Sequence, residues 1–175
     1  MILVFVDRDG TICKNVHYMR RPEQFELLPG VAEGIKLLNE LGVKVIVATN
    51  QSGVARGYFT EADLAKIHER MIDELAKRGA KVDAVYYCIH HPDEECECRK
   101  PSIGMLKQAA RDFGVNLDNN CFIIGDRKLD VEAGRKASCT SILVPTHETE
   151  PDIEADYVVT NFHEAAKLVA DKIRG

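Results

Sequence analysis

Short apolar runs alternate along this chain with longer stretches of helical spacing. Ile2–Val6, Val43–Ala48, Val82–Cys88, Cys121–Ile124, Ser141–Val144 and Tyr157–Val159 are rich in Val, Ile and Tyr. Such runs read as strands buried on both faces, the mark of a parallel sheet. Between them, apolar residues recur at helical intervals: Val31, Ile35 and Leu38; Leu64, Ile67, Met71 and Leu75; Met105, Ala109 and Phe113; Ala165, Leu168, Val169 and Ile173. Gly42, Gly79 and Gly114 each follow the last apolar turn of a helix and precede a strand, where a left-handed residue is wanted. Thr60-Glu61-Ala62-Asp63 has the spacing of an N-terminal cap. The alternation predicts one doubly wound, mainly parallel, Rossmann-like α/β domain over residues 1–175.

Composition narrows the chemistry. With 175 residues, 45% apolar and 29% charged, the chain is of ordinary globular make-up. A net charge of −5, 6% aromatics and no Trp argue against a nucleic-acid surface. No run approaches the ~20 apolar residues of a membrane helix, and the opening run is too short for a signal peptide. The expectation is a monomeric cytoplasmic protein with no membrane or nucleic-acid partner. Six cysteines fit that compartment if most are reduced. Cys13, Cys121 and Cys139, scattered among apolar neighbours, read as small buried hydrophobes. His68, His147 and His163 read as surface residues.

In open α/β sheets, ligands bind beyond the carboxyl ends of the strands, and the unusual polar residues fall there. Asp7-Arg8-Asp9-Gly10-Thr11 follows the first strand, Thr49-Asn50-Gln51-Ser52-Gly53 the second and Gly125-Asp126-Arg127 the fourth. Two carboxylates two residues apart in extended chain point the same way, so Asp7 and Asp9 converge while Arg8 points elsewhere. Asp126 adds a third carboxylate, and such a set suits octahedral Mg²⁺. Thr49 and Asn50 offer a hydroxyl and an amide to phosphate oxygens. Arg99 and Lys100 supply cations before Pro101 opens a helix, whose N-terminus favours anions.

The third strand ends on Cys88, and His90, Cys96 and Cys98 follow it. Two short chelating arms, Cys-x-His and Cys-x-Cys, are joined by a spacer able to turn back. Tetrahedral Zn²⁺ with three Cys and one His is a closed, structural set, so loop 88–98 reads as zinc-stabilised. His91 is an alternative imidazole to His90.

These motifs resemble the haloacid dehalogenase superfamily of phosphatases: Asp7-Arg8-Asp9-Gly10-Thr11, Thr49-Asn50-Gln51-Ser52-Gly53, Lys100-Pro101, and Gly125-Asp126-Arg127 with Asp130. The Cys/His loop is similar to that of its zinc-loop branch, which contains the D-glycero-D-manno-heptose 1,7-bisphosphate phosphatases and the histidinol-phosphate phosphatases. Asn50 to Gly57, the Tyr18 region and Tyr86 to Pro92 resemble the heptose enzymes, which the reading favours. The short spacer between His90 and Cys96, and Arg127 where a lysine is common, are more like the histidinol side. The resemblance implies no large cap domain and a small phosphorylated sugar as substrate. It makes Asp7 the nucleophile, Asp9 the general acid and base, and Thr49 and Lys100 stabilisers of the phosphoryl group. Mg²⁺ is then held by Asp7, the Asp9 backbone carbonyl and Asp126. Asn15, Val16, His17, Tyr18, Asn50, Gln51, Ser52, Arg99 and Arg127 complete the substrate contacts, with Arg99 suited to a second phosphate. An alternative of another class is a receiver protein, in which the aspartyl-phosphate is a signal; a general acid at Asp9 speaks against its long life.

Overall fold

A computed structural model describes residues 1–175 and has six strands in one all-parallel sheet. The strands are β1 (Leu3–Val6), β2 (Lys44–Asn50), β3 (Ala84–Cys88), β4 (Cys121–Gly125), β5 (Thr140–Leu143) and β6 (Tyr157–Val158). The helices are α1 (Val31–Glu40), α2 (Glu61–Ala76), α3 (Gly104–Phe113), α4 (Lys128–Lys136) and α5 (Phe162–Arg174). The strand order is β3-β2-β1-β4-β5-β6, so the winding reverses between β1 and β4. Loops diverge at that reversal, and the crevice they leave is where α/β sheets bind ligands.

Alternation along β1 sorts the core into two layers. Val4 and Val6 pack with Val45, Val47, Phe122 and Ile124 against α1, α2 and α5. Leu3 and Phe5 pack with Ile46, Ala48 and Ile123 against α3 and α4. In register, Val4 lies between Val45 and Phe122, so a fully apolar β1 is the consequence of burial on both faces.

The helix ends follow the local chemistry. At α2, Thr60 Oγ1 accepts the Asp63 N–H at 3.1 Å, and Asp63 Oδ2 accepts the Thr60 N–H at 2.9 Å, a reciprocal capping box. Helix α3 starts at Gly104, a turn later than Pro101 suggests. Helix α4 has no counterpart in the periodicity, because its buried face carries Asp130 and Gly134 beside Val131 and Ala133.

Cys121 and Cys139 correct the expectation of unpaired buried thiols. Both are buried, but they form a disulfide with Cα atoms 4.7 Å apart. The reason is register: Phe122 pairs with Thr140, so Cys121, the first residue of β4, and Cys139, just before β5, are brought side by side. Cys13 is a buried free thiol, as expected.

Helices α1 and α5 approach closely at Gly34, where a Cβ would lie 2.7 Å from Phe162 Cδ1 and 3.2 Å from Ala166 Cβ. A larger side chain there must push α5 off the sheet or distort both helices. Gly34→Val is expected to lower the unfolding free energy by about 2 kcal/mol, read from urea denaturation; an unchanged midpoint would contradict this packing.

Candidate active site

The chain leaves β1 at Val6 and bends at once. The Arg8 carbonyl accepts the N–H groups of Thr11, Ile12 and Cys13 at 3.3, 2.9 and 3.1 Å, so the two-residue alternation of the strand ends there. Asp7 and Asp9 therefore meet different surroundings, and Arg8 does not point away. Gly10 has φ +86°, and a Cβ on it would collide with the Asp126 carboxylate, so the turn packs directly on the end of β4.

Three acids gather beneath this turn, and they are not the three of the sequence reading. Carboxylate oxygens of Asp7, Asp126 and Asp130 lie within 4.8 Å of one another, all buried. The Asp9 side chain is outside that group. Asp130 reached the sequence reading only as part of a motif, without a role. It is the third residue of α4, where its Oδ2 accepts the Arg127 N–H at 3.1 Å.

Lys100 enters the cluster from the loop between β3 and α3. Its ammonium donates to Asp7 Oδ1 at 2.9 Å and to Asp130 Oδ1 at 2.7 Å. Burial alone would pull this ammonium's pKa down, but Asp130 and then Asp7 outweigh it and leave it above the ordinary lysine value. Asn50 holds the Lys100 backbone at both ends: Nδ2 donates to the Lys100 carbonyl at 3.1 Å, and Oδ1 accepts the Lys100 N–H at 2.9 Å.

One ammonium does not balance three carboxylates. Asp126 accepts only the Thr11 hydroxyl, at 3.3 Å. Burial, followed by the charges of Asp7 and Asp130, pushes its carboxyl up to about 9. Burial likewise raises Asp130, to about 6, against the opposing pull of Lys100. A buried, hard, oxygen-only set with surplus negative charge fits a divalent cation such as Mg²⁺, held by Asp7 and Asp126.

Asp9 is engaged on both oxygens. Arg8 forks onto it, Nε to Oδ1 at 3.1 Å and Nη2 to Oδ1 and Oδ2 at 2.9 and 3.0 Å. Gln51 Nε2 donates to Asp9 Oδ2 at 3.0 Å and also lies 2.8 Å from Thr49 Oγ1. Gln51 thus ties two of the expected catalytic residues together.

A cleft of about 230 Å³ opens beside Asp9, lined by Asn15, His17, Tyr18, Asn50, Gln51, Ser52, Gly53 and Arg127. Most of the expected substrate contacts therefore share one wall. Val16 does not join them; its side chain packs on the core. Arg99 is also outside the lining, yet its Nη1 is buried without a hydrogen-bond partner. Tyr18 and Tyr58 meet edge to face at 4.9 Å, with the Arg56 and Arg20 guanidinium groups 5.5 and 5.2 Å from the two rings.

The polar stretch 146–156 closes the rim of the cleft. Glu148 accepts Asn15 Nδ2 at 2.9 Å and pairs with His17 Nε2 at 3.1 Å. Thr149 Oγ1 donates to the Asp126 carbonyl at 2.6 Å, and Glu150 accepts Arg127 Nε at 2.9 Å. An acid run after β5 signals none of this by itself.

The Cys/His loop closes on itself. Cys88 Sγ lies 3.3 Å from His90 Nδ1 and 3.8 Å from Cys96 Sγ, and His90 Nδ1 lies 3.2 Å from Cys98 Sγ. A tetrahedron of ~2.3 Å bonds has edges of about 3.8 Å, so the four atoms fit zinc. His91 is directed elsewhere, its Nδ1 accepting the Asp93 N–H at 3.1 Å.

Comparison with known proteins agrees with this architecture. A family model described as HAD-hydrolase-like matches residues 97–174. A crystal structure of D,D-heptose 1,7-bisphosphate phosphatase from B. bronchiseptica, complexed with magnesium and phosphate, superposes with a TM-score of 0.90 at 34% identity, covering 98% of this chain and 99% of that one. Fold and site together define a hydrolase of the haloacid dehalogenase type. The D-glycero-beta-D-manno-heptose-1,7-bisphosphate 7-phosphatase of Pasteurella multocida is 35% identical over 95% of both chains. That of Yersinia pestis is 36% identical over 95% of this chain and 94% of its own. The chain belongs to this family of phosphoric monoester hydrolases.

Two outcomes follow from the site. An acid whose pKa is raised by folding keeps a proton that the unfolded chain has released, so stability falls as pH rises through the shifted range. In magnesium-free buffer the urea midpoint is expected to fall as pH rises from the ordinary carboxyl value of 3.8 up to about 9, more steeply below about 6 where Asp130 and Asp126 both contribute, and added Mg²⁺ to flatten the slope. A midpoint indifferent to both would speak against the acid cluster. Cys96→Ser is expected to lose bound zinc and to unfold at lower urea; unchanged zinc by elemental analysis would reject the four-ligand set.

Proposed function

We propose that this chain is a Mg²⁺-dependent phosphatase that removes the 7-phosphate of D-glycero-D-manno-heptose 1,7-bisphosphate through an aspartyl-phosphate on Asp7. The observation that carries the reading is the Asp7 carboxylate at the end of the central strand, bonded to the buried Lys100 ammonium and adjacent to Asp126, with Asp9 lining the cleft alongside. The full-length likeness to relatives named for this reaction supports the substrate, and favours it over histidinol phosphate.

In this reading Asp7 attacks phosphorus while the bond from phosphorus to the sugar oxygen breaks. Asp9 gives its proton to the departing alkoxide. Water then attacks the same phosphorus, Asp9 takes its proton, and the Asp7–phosphorus bond breaks to release phosphate. Lys100 neutralises Asp7 before attack and the phosphoryl oxygens during it. The Thr49 hydroxyl orients one of those oxygens. When bound by Asp7, the Asp9 carbonyl and Asp126, Mg²⁺ supplies charge stabilisation to the phosphoryl group. Arg99, with its unpartnered buried nitrogen, is assigned to the remote phosphate, where a guanidinium fork is effective. Asn15, His17, Tyr18, Ser52 and Arg127 take the sugar. The Cys/His loop takes Zn²⁺ as a structural ion and stiffens the segment that carries Arg99 and Lys100. The enzyme is read as a cytoplasmic monomer acting on a small ester, and no helix is long and apolar enough to cross a membrane.

The test is phosphate release measured in parallel from heptose 1,7-bisphosphate, histidinol phosphate and other sugar bisphosphates with added Mg²⁺. The heptose ester is expected to have the highest kcat/KM. Asp7→Asn should cut release by about 10³-fold or more with zinc content unchanged. Near-normal turnover by that variant would remove Asp7 as nucleophile.

A further inference from the structure

One buried histidine has no part in the reaction as written above. His68 sits on α2, 6% exposed, and the expectation of a surface residue is overturned. Its Nε2 lies 3.0 Å from Arg8 Nη1. A guanidinium only donates, so the imidazole accepts through Nε2. Burial, then the Arg8 charge, pushes His68 down to about 3, which keeps it neutral and able to accept. Tyr87 flanks the ring at 5.9 Å and is itself held through its hydroxyl to Glu61 Oε1 at 3.1 Å.

Arg8 is fully buried, and its remaining nitrogens are spent on Asp9. The fork is rigid and planar, so fixing Nη1 on one side fixes the plane in which Nε and Nη2 meet the carboxylate on the other. Without an acceptor at His68, Nη1 is left buried and unpaired, and the guanidinium gains by turning toward water. That rotation carries Asp9 with it. We infer that His68 is a positioning residue for Asp9, acting through Arg8, so that a side chain on α2 sets the direction from which the leaving oxygen is protonated. The inference rests on the acid/base reading of Asp9.

Leaving-group chemistry separates this role from simple support of the fold. A sugar alkoxide must receive the Asp9 proton as its bond to phosphorus breaks, whereas p-nitrophenolate departs without one. His68→Phe keeps a flat ring but no acceptor, and His68→Gln restores an oxygen near the Nε2 position. With heptose 1,7-bisphosphate, His68→Phe is expected to lower kcat/KM by about 10- to 100-fold, chiefly in kcat. With p-nitrophenyl phosphate, kcat/KM should stay within about twofold, because it reports only steps through leaving-group departure. His68→Gln should recover most of the loss. If His68→Phe does not fold, His68→Asn, whose amide stops short of Arg8, takes its place. Equal losses on both esters, a loss confined to KM, or no recovery with Gln would overturn the positioning role. Wild-type protein that releases phosphate from neither ester would instead overturn the phosphatase reading itself.

Discussion

The Lys100 ammonium, wedged between Asp7 and Asp130, is the contact on which the site is built. All three groups are buried, and burying a lone charge costs several kcal/mol, so none of them is stable there without the others. The three come from the ends of separate elements: β1, the loop before α3, and the first turn of α4. Each needs its own backbone support. Asn50 clamps Lys100 from the end of β2, the Cys/His set ends two residues before it, and the Arg127 N–H donates to Asp130. A metal ion held by that Cys/His set would steady the segment that delivers a buried cation.

The cluster sets one ammonium against three buried carboxyl groups, and this crowding, which raises Asp126 and Asp130, is what favours a bound cation over a self-contained ion network. The surplus falls on Asp126, the acid with the fewest donors and the most strongly raised carboxyl. A cation held there would relieve it and would attract a phosphoryl group. Asp9 is kept apart by its own guanidinium and amide, so two acids separated by one residue carry two different environments. Differentiating neighbouring carboxylates is how one turn can supply both a nucleophile and a proton donor.

Much of this was legible in the chain. Period-free apolar runs gave the strands, and polar residues placed directly after four of them pointed to a single edge of the sheet. The Cys88-x-His90 and Cys96-x-Cys98 arms announced a soft tetrahedral set through spacing alone. What escaped were residues whose meaning depends on a partner far off in sequence. Asp130 stands in the sequence only as part of a motif, Glu148 and Glu150 give no signal, and His68 reads as a surface residue. The strand alternation that paired Asp7 with Asp9 also failed locally, because hydrogen bonding to the Arg8 carbonyl ends the extended chain one residue too soon.

The sequence by itself determined which groups stand at strand ends, because hydrophobic burial and local turn chemistry act over neighbouring residues. It also determined the gathering of Cys88, His90, Cys96 and Cys98, which are close along the chain. Only the tertiary structure decided that Lys100 reaches Asp130, that Cys121 meets Cys139, and that a histidine on α2 holds the arginine beside Asp9. Those pairings depend on strand order and register, which are set by packing across the whole sheet and not by any segment alone.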